Sequence, residues 1–430
     1  MSSGLMLALI LVALFASIAI GYLTKKNIGY IAIAFAYILG VFVFKQSAGS
    51  ILGLWPTGLF LTMVSIMAFY GYASANGTLQ LLAEKVIYPF RKKVTLLPFV
   101  VFFVEIILAS IAGNTAVTAF FPVLCFTIAL TAGWDPVLFS TISCFASVLG
   151  GSLPWSQTGV LINGILEKAG MADMAGSYTL RNSIASIISF TIFIILVFIF
   201  TKGYKVKSIE MEQPKAFNPV QKKTLVVVAV VAVLVVVPSL FKILAPASGI
   251  GKMAGNFNLG LIAFTGAAVC ALLNLGQERE IIRRIPWGTF IMICGVYILV
   301  SLATAVGATD KLSEMIGLGL PNWLIAPIFA LAAGIMSMFS SFQVVIAIML
   351  PMVPSIVGIT GANPVLYIVA IFAGSISASI SPFSNGGMMT MSQCYDEVER
   401  DKLFNKQFIM AICAVLFITV LSLIGVYRLF

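Results

Sequence analysis

Apolar runs of about 20 residues, the length a helix needs to cross a bilayer, recur along this chain between short polar stretches. They predict spans over residues 5–23, 28–44 and 55–75, followed by an amphipathic piece over 78–90. The first run has no basic start and no small-residue cleavage site, and it leads into a second apolar run, so it reads as a spanning helix and not as a removable signal. A longer apolar block, 96–132, carries Gly113, Asn114 and Thr115 at its midpoint. That suits a re-entrant hairpin whose tip stops halfway. A broken segment over 135–169 and a closing span over 182–201 complete a first half. A polar linker, 202–223, contains Pro214 and Pro219. The second half repeats the order, with spans over 224–244, 258–275 and 287–306. A hairpin block over 323–357 then has Ser340, Ser341 and Gln343 near its tip, and a broken segment and a closing span over 408–429 follow.

The two broken segments are the centre of the pattern. From Asn363 the chain runs apolar, then crowds Ser375, Ser377, Ser379, Ser381, Ser384 and Asn385 around Pro382 before Gly386 and Gly387. Proline removes a backbone donor and glycine loosens the helix, so polar backbone is freed at membrane depth. Such backbone is tolerated only where it faces protein or a wet cavity. The segment from Asp135 has the same design: Pro136, Val137 and Leu138 match Pro364, Val365 and Leu366. Further on, Pro154, Ser156, Gln157 and Gly159 match Pro382, Ser384, Asn385 and Gly387. A nearly constant offset also aligns Pro56, Gly77 and Glu84 with Pro286, Gly307 and Glu314, and Pro122 with Pro351. Two interrupted segments at corresponding places are the sequence mark of a transporter site. If hairpins return to the side they entered, each half crosses five times, and the two repeats must be inverted. The expected fold is therefore an all-α polytopic membrane protein of two inverted repeats. Each repeat has five transmembrane helices, one re-entrant hairpin and one broken helix. The scaffold helices fall in 1–90 and 224–306, and hairpins with broken helices in 96–169 and 323–390.

Composition narrows the chemistry. Of 430 residues, 60% are hydrophobic and 9% charged, with mean hydropathy +1.09, a balance that belongs to a multi-pass membrane protein. There is no histidine, which excludes imidazole relays, His-ligated metals and His-based triads. The six cysteines are scattered singly without metal or redox spacing. An enzyme is not expected. The net charge of +10 sits in short loops, so it signals topology and not nucleic acid. With both termini outside the cytoplasmic (inner, plasma) membrane, most lysines and arginines, among them Lys25, Lys26, Arg91, Lys92, Lys93, Lys202, Lys207, Lys222, Arg283 and Lys406, face the cytoplasm. Only a few, such as Lys168, Arg181 and Lys311, remain outside.

No lysine or arginine lies in the middle of a predicted span, so an anion would be held by amides, hydroxyls, helix ends and co-bound cations. The side chains and backbone able to do this are Asn114, Thr115, Thr118, Ser341, Gln343, Ser384, Asn385 and Gly386 for substrate. For sodium they are Gly113, Asn114, Ser152, Ser156, Gln157, Thr158, Ser340, Ser377, Ser381 and Asn385. Neutral oxygens with few carboxylates suit an exchangeable sodium ion better than a divalent metal. Membrane serines and threonines also simply bond to the preceding turn or join helices. Glu105 is the only carboxylate deep in an apolar run: it reads either as a proton-coupling group or as a neutral packing acid. The acidic cluster Asp396, Glu397, Glu399 and Asp401 reads as a solvated loop face.

The pattern FLTMVSIMAFYGYASANGTLQLLAEKV after Pro56, its counterpart from Pro286 and the break SPFSNGG resemble the MatC-type dicarboxylate (malonate) carriers, which group with the divalent anion:sodium symporters of the ion transporter superfamily. The resemblance implies a homodimer working as an elevator, with sodium as the coupling ion, no other cofactor, and a small di- or tricarboxylate as substrate. The same fold also supports sodium/proton antiport or proton-coupled anion transport. In that superfamily Ser-Asn-Thr at both hairpin tips binds carboxylates and helps form two sodium sites. Gly113-Asn114-Thr115 keeps two of the three residues, whereas Ser340-Ser341-Phe342-Gln343 departs from the pattern.

Overall fold

The computed structural model describes residues 3–24, 26–206, 211–307, 319–338, 341–394 and 397–430. Lys25, Lys207, Lys311, Glu314, Ser340 and Asp396, singled out above, lie outside these, as does the side chain of Asn385. Every regular element among the described residues is helical. The first part of the chain forms α1 (Ser3–Thr24), α2 (Ile28–Tyr37, continued by a wider turn Ile38–Val43), α3 (Ala48–Gly53), α4 (Thr57–Ala75) and α5 (Thr78–Ile87). A hairpin follows, α6 (Leu97–Ala112), α7 (Asn114–Thr118) and α8 (Phe121–Ala132). Then come a helix in two limbs, α9 (Pro136–Gly151) and α10 (Gln157–Leu166), and a long helix α11 (Ala175–Phe200). The later part gives α12 (Pro219–Leu244), α13 (Gly249–Met253), α14 (Leu259–Leu272), α15 (Glu278–Arg284) and α16 (Trp287–Ala305). It continues with a hairpin, α17 (Asn322–Met338), α18 (Phe342–Met349) and α19 (Val353–Thr360), a second two-limbed helix, α20 (Pro364–Ser377) and α21 (Asn385–Ser392), and α22 (Glu397–Leu423).

Seven helical stretches among the described residues are long and apolar enough to cross a membrane. Shorter apolar helices include α8, α9, α17 and α20, which are hairpin arms and first limbs of the broken helices. The chain is a multi-pass membrane protein. Local chemistry sets the matched boundaries. Gly133 (φ +75°) and Gly361 (φ +66°) end the two hairpins in the left-handed conformation that glycine adopts without strain. Asp135 and Asn363 then cap the broken helices, each accepting from the amide two residues on at 3.0 Å, with Pro136 and Pro364 in the first turn, where a missing N–H costs nothing.

Packing is reciprocal. α4 lies on α14 and α16 on α2, so the third long helix of each half meets the second of the other. Glycines permit this approach. A Cβ built on Gly295 would fall 2.7 Å from the Cα of Gly29, and one on Gly260 would fall 3.1 Å from the Thr62 hydroxyl, which is the small-residue contact that lets membrane helices touch. Within each half the hairpin's first arm packs on the broken helix, α6 on α9 and α17 on α20. The long last helices cross over, α11 packing on α20 and α22 on α9.

Three boundaries differ from the sequence reading. Residues 219–223, expected in the linker, are the first turn of α12, because Asn218 and Gln221 form a reciprocal capping box and Pro219 is pre-set for a first helical position. α11 starts at Ala175, before the expected 182. α22 starts at Glu397, so Glu397, Glu399 and Asp401 belong to a helix and not to a loop. Charged residues are good helix formers, and an apolar window is blind to that.

Candidate substrate and cation site at the two helix breaks

The first tip turns at Gly113, with φ +81° and ψ 150°, a conformation nearly confined to glycine. That turn ends α6 and starts α7 at Asn114. Gln157, the first residue of α10, sits across it: its side-chain oxygen accepts from the Thr115 hydroxyl at 3.1 Å and from the Thr115 amide at 3.4 Å. Ser156 donates to the carbonyl of Ala109 at 2.9 Å. Gly151, at the end of α9, has no side chain to obstruct Asn114, whose Cβ would lie 3.0 Å from an added carbon there. The structure thus brings Gly113, Asn114, Thr115, Ser156 and Gln157 together. Asn114 is 5% exposed and its Oδ1 accepts no hydrogen bond among the described residues. Thr158 is buried in the first turn of α10. Ser152 donates to Leu149 at 2.7 Å, and the Thr118 hydroxyl lies 3.0 and 3.1 Å from the carbonyls of Asn114 and Thr115, closing the tip on itself.

The second break makes a similar contact from another position, since Ser156 matches Ser384 and not Ser381 in the repeat, and it alters the rest. Ser381 donates to the carbonyl of Met338, on the hairpin arm, at 3.0 Å. Ser341 precedes α18 and donates to Gln343, two residues on. Ser384 caps α21, accepting from the Gly387 amide at 3.3 Å and donating to Ser379 at 2.6 Å. Ser377 donates to Gly374 at 2.6 Å, so its proton is spent on the preceding turn, as hydroxyls in membrane helices commonly do. Its lone pairs are not consumed by that bond. Asn385 opens α21, and Gly386 accepts from Thr390 at 2.9 Å. The half-sites adjoin one another: α10 packs on α18 and α9 on α21, where Cys144 and Thr390 lie 3.0 Å apart.

At each break a second limb begins with helix N-terminal amides, which carry partial positive charge, and a first limb ends in C-terminal carbonyls, which carry partial negative charge. An anion and a cation can therefore be held side by side, with hydroxyls and amides completing both shells.

Glu105 is wholly buried between α6 and α9. Ser143 donates to its Oε1 at 2.9 Å, while Oε2 has no partner among the described residues. A charged carboxylate would be very costly there. Ser143 escaped the sequence reading, as did Asn182, Ser183 and Ser186 on α11. Ser183 donates to the carbonyl of Ser152 in the break at 2.8 Å. Their signal was legible, since Thr179, Asn182, Ser183, Ser186 and Ser189 recur at helical spacing inside an apolar run.

Residues 1–151 match the family described as the N-terminus of the dicarboxylate carrier protein MatC. The likeness read from the sequence holds over that stretch. Two solved structures share the fold along most of the chain. One is the YdaH transporter of Alcanivorax borkumensis, with a TM-score of 0.60 at 15% identity over 91% of this chain and 88% of that one. The other is MtrF of Neisseria gonorrhoeae, from a class of antimetabolite efflux pumps, with a TM-score of 0.58 at 14% identity over 89% and 83%. No curated protein matches the sequence. The carrier match points to a transporter and not an enzyme, and the two solved structures show the fold that goes with it.

Proposed function

We propose that this protein is a sodium-coupled symporter of a small di- or tricarboxylate of the malonate, succinate, malate or citrate class, working by an elevator movement as a homodimer in the plasma membrane. The observation that carries the reading is the paired tip-to-break contact, Ser156 on Ala109 and Ser381 on Met338, in a chain whose first 151 residues match a dicarboxylate carrier family. The reciprocal packing of α4 on α14 and α16 on α2 supports two inverted repeats over 1–201 and 224–430, joined by a cytoplasmic linker. In this reading the crossed glycine contacts make the scaffold, and the hairpins and broken helices carry substrate. Asn114, Thr115, Thr118, Ser341, Gln343, Ser384, Asn385 and Gly386 hold the carboxylates. Gly113, Ser152, Ser156, Gln157, Thr158, Ser340, Ser377 and Ser381, with Asn114 and Asn385, hold sodium. Because no lysine or arginine lies in the middle of a predicted span to serve the anion, the cation neutralises it, and that requirement is the coupling.

The test is uptake by purified protein in liposomes: a carboxylate from this class accumulates under an inward sodium gradient and not under a matched potassium gradient. Asn114→Ala and Asn385→Ala each abolish that uptake while the protein stays folded. Equal uptake in potassium removes the coupling, and normal uptake in both variants moves the site. A second reading, proton coupling on the same fold, draws on the half-satisfied carboxyl of Glu105. It requires uptake driven by a proton gradient without sodium.

A further inference from the structure

The helix α11 carries a polar stripe that neither tip uses. Asn182, Ser186 and Ser189 share one face of it and all three are buried. What that face meets is marked further along it: Ser189 lies beside the hydroxyl of Tyr427, and Phe193 packs on Phe417 of α22 with ring centres 5.4 Å apart. Asn182 is 0% exposed, yet neither its oxygen nor its nitrogen has a hydrogen-bond partner among the described residues. The same holds for the hydroxyls of Ser186 and Tyr427. Polar atoms buried in this way are normally satisfied. Those of Asn182 and Ser186 lie one turn apart on the same face, with the Tyr427 hydroxyl further along it beside Ser189, and together they point to something held along that face.

Elsewhere a buried amide nitrogen on a long closing helix is met by protein: Gln407 of α22 donates to Ser140 of α9 at 2.5 Å. The available donors are neutral oxygens, one amide and two hydroxyls, with no carboxylate. That set suits a monovalent cation and not a divalent one.

We propose that Asn182, Ser186 and Tyr427 bind a sodium ion at a position separate from the two breaks. Ser183, next in the chain and hydrogen-bonded to Ser152, links its occupancy to the order of the first break. This rests on the chain being a sodium-coupled carrier.

The experiment titrates sodium chloride against choline chloride at constant ionic strength. It follows the melting temperature of the purified protein and, in liposomes, the sodium dependence of uptake. Ser186→Ala and Tyr427→Phe each remove one oxygen with little change of volume, and Asn182→Leu removes the amide. The expected result is that the sodium midpoint of both readouts rises about tenfold for each single-oxygen variant, the effect of one lost ligand, with a lower Hill coefficient for uptake. If wild-type protein responds to sodium and the folded variants respond identically, the position holds only ordered water and this inference falls alone. If Asn182→Leu fails to fold, the other two variants still decide. If wild-type protein shows no response to sodium, this inference and the coupling in the proposed function both fall.

Discussion

The hydroxyl of Ser156 donates to the carbonyl of Ala109 at 2.9 Å, four residues before the glycine at which the first hairpin turns. In the other half Ser381 does the same to Met338 at 3.0 Å. Each break is thereby fastened to the arm of its own hairpin by one bond at the last turn. Ser156→Ala and Ser381→Ala each remove one buried hydrogen bond between break and hairpin arm, at a cost of about 1 kcal/mol, although the Ala109 carbonyl keeps the Gly113 amide at 2.9 Å. Thermal melting of the purified variants should show a small, similar loss for each, and uptake should fall further than stability does. Unchanged uptake in both variants would mean that the contacts only help the fold.

Gln157 reaches across the first tip to the amide and hydroxyl of Thr115. Gln157→Ala frees both groups, so the tip loses its fixed orientation and uptake falls by about tenfold or more, the effect of about 1.4 kcal/mol in the transport cycle. Thr115→Val keeps the amide contact and loses less. The ordering of the two variants in initial-rate uptake is the measurement, and the reverse order would sink the assignment.

Gly113 combines a positive φ with an extended ψ, and a Cβ there would lie 3.1 Å from the Gln157 oxygen. Gly113→Ala costs about 1–3 kcal/mol in backbone strain alone and displaces Gln157. Gly133→Ala bears only the milder left-handed penalty and meets no neighbour within 4 Å. The first variant should melt lower than the second and transport less.

Glu105 separates the two coupling readings. If it is a neutral packing acid, Glu105→Gln is tolerated without loss, because the side-chain amide oxygen still accepts from Ser143. Sodium-driven uptake then keeps its rate and its pH profile. If it carries a proton, the same variant loses the proton-dependent part and its rate becomes flat with pH. Glu105→Lys puts a cation in the same apolar interior and should prevent folding in either case.

The fold was largely readable where backbone chemistry announced itself. Pro154 and Pro382 with their serines marked the interruptions that fall between Gly151 and Gln157 and between Ser377 and Asn385. Gly113-Asn114 marked the tip. Helix starts were less legible, since Arg181 and Lys406 lowered the apolar signal without weakening the helices they belong to. The site was legible as a list of candidates and not as a set of contacts. Nothing in the local sequence says that Gln157 faces Thr115, that Ser152 meets Ser183, or that Ser143 serves Glu105. Those pairings come from how α6, α9 and α11 stack, and stacking depends on small residues such as Gly150 and Gly151 whose partners lie elsewhere in the chain.

Asp135 caps α9 with one oxygen and takes Lys406 with the other at 2.6 Å, across 271 positions. A chain made from its amino end inserts α9 long before Lys406 and Gln407 leave the ribosome. Asp135 and Ser140 therefore wait through most of synthesis for the partners that settle them, and the first half reaches its final form only when the last helix arrives. Chains cut short before residue 397 therefore lack both partners and are expected to melt lower than the full chain.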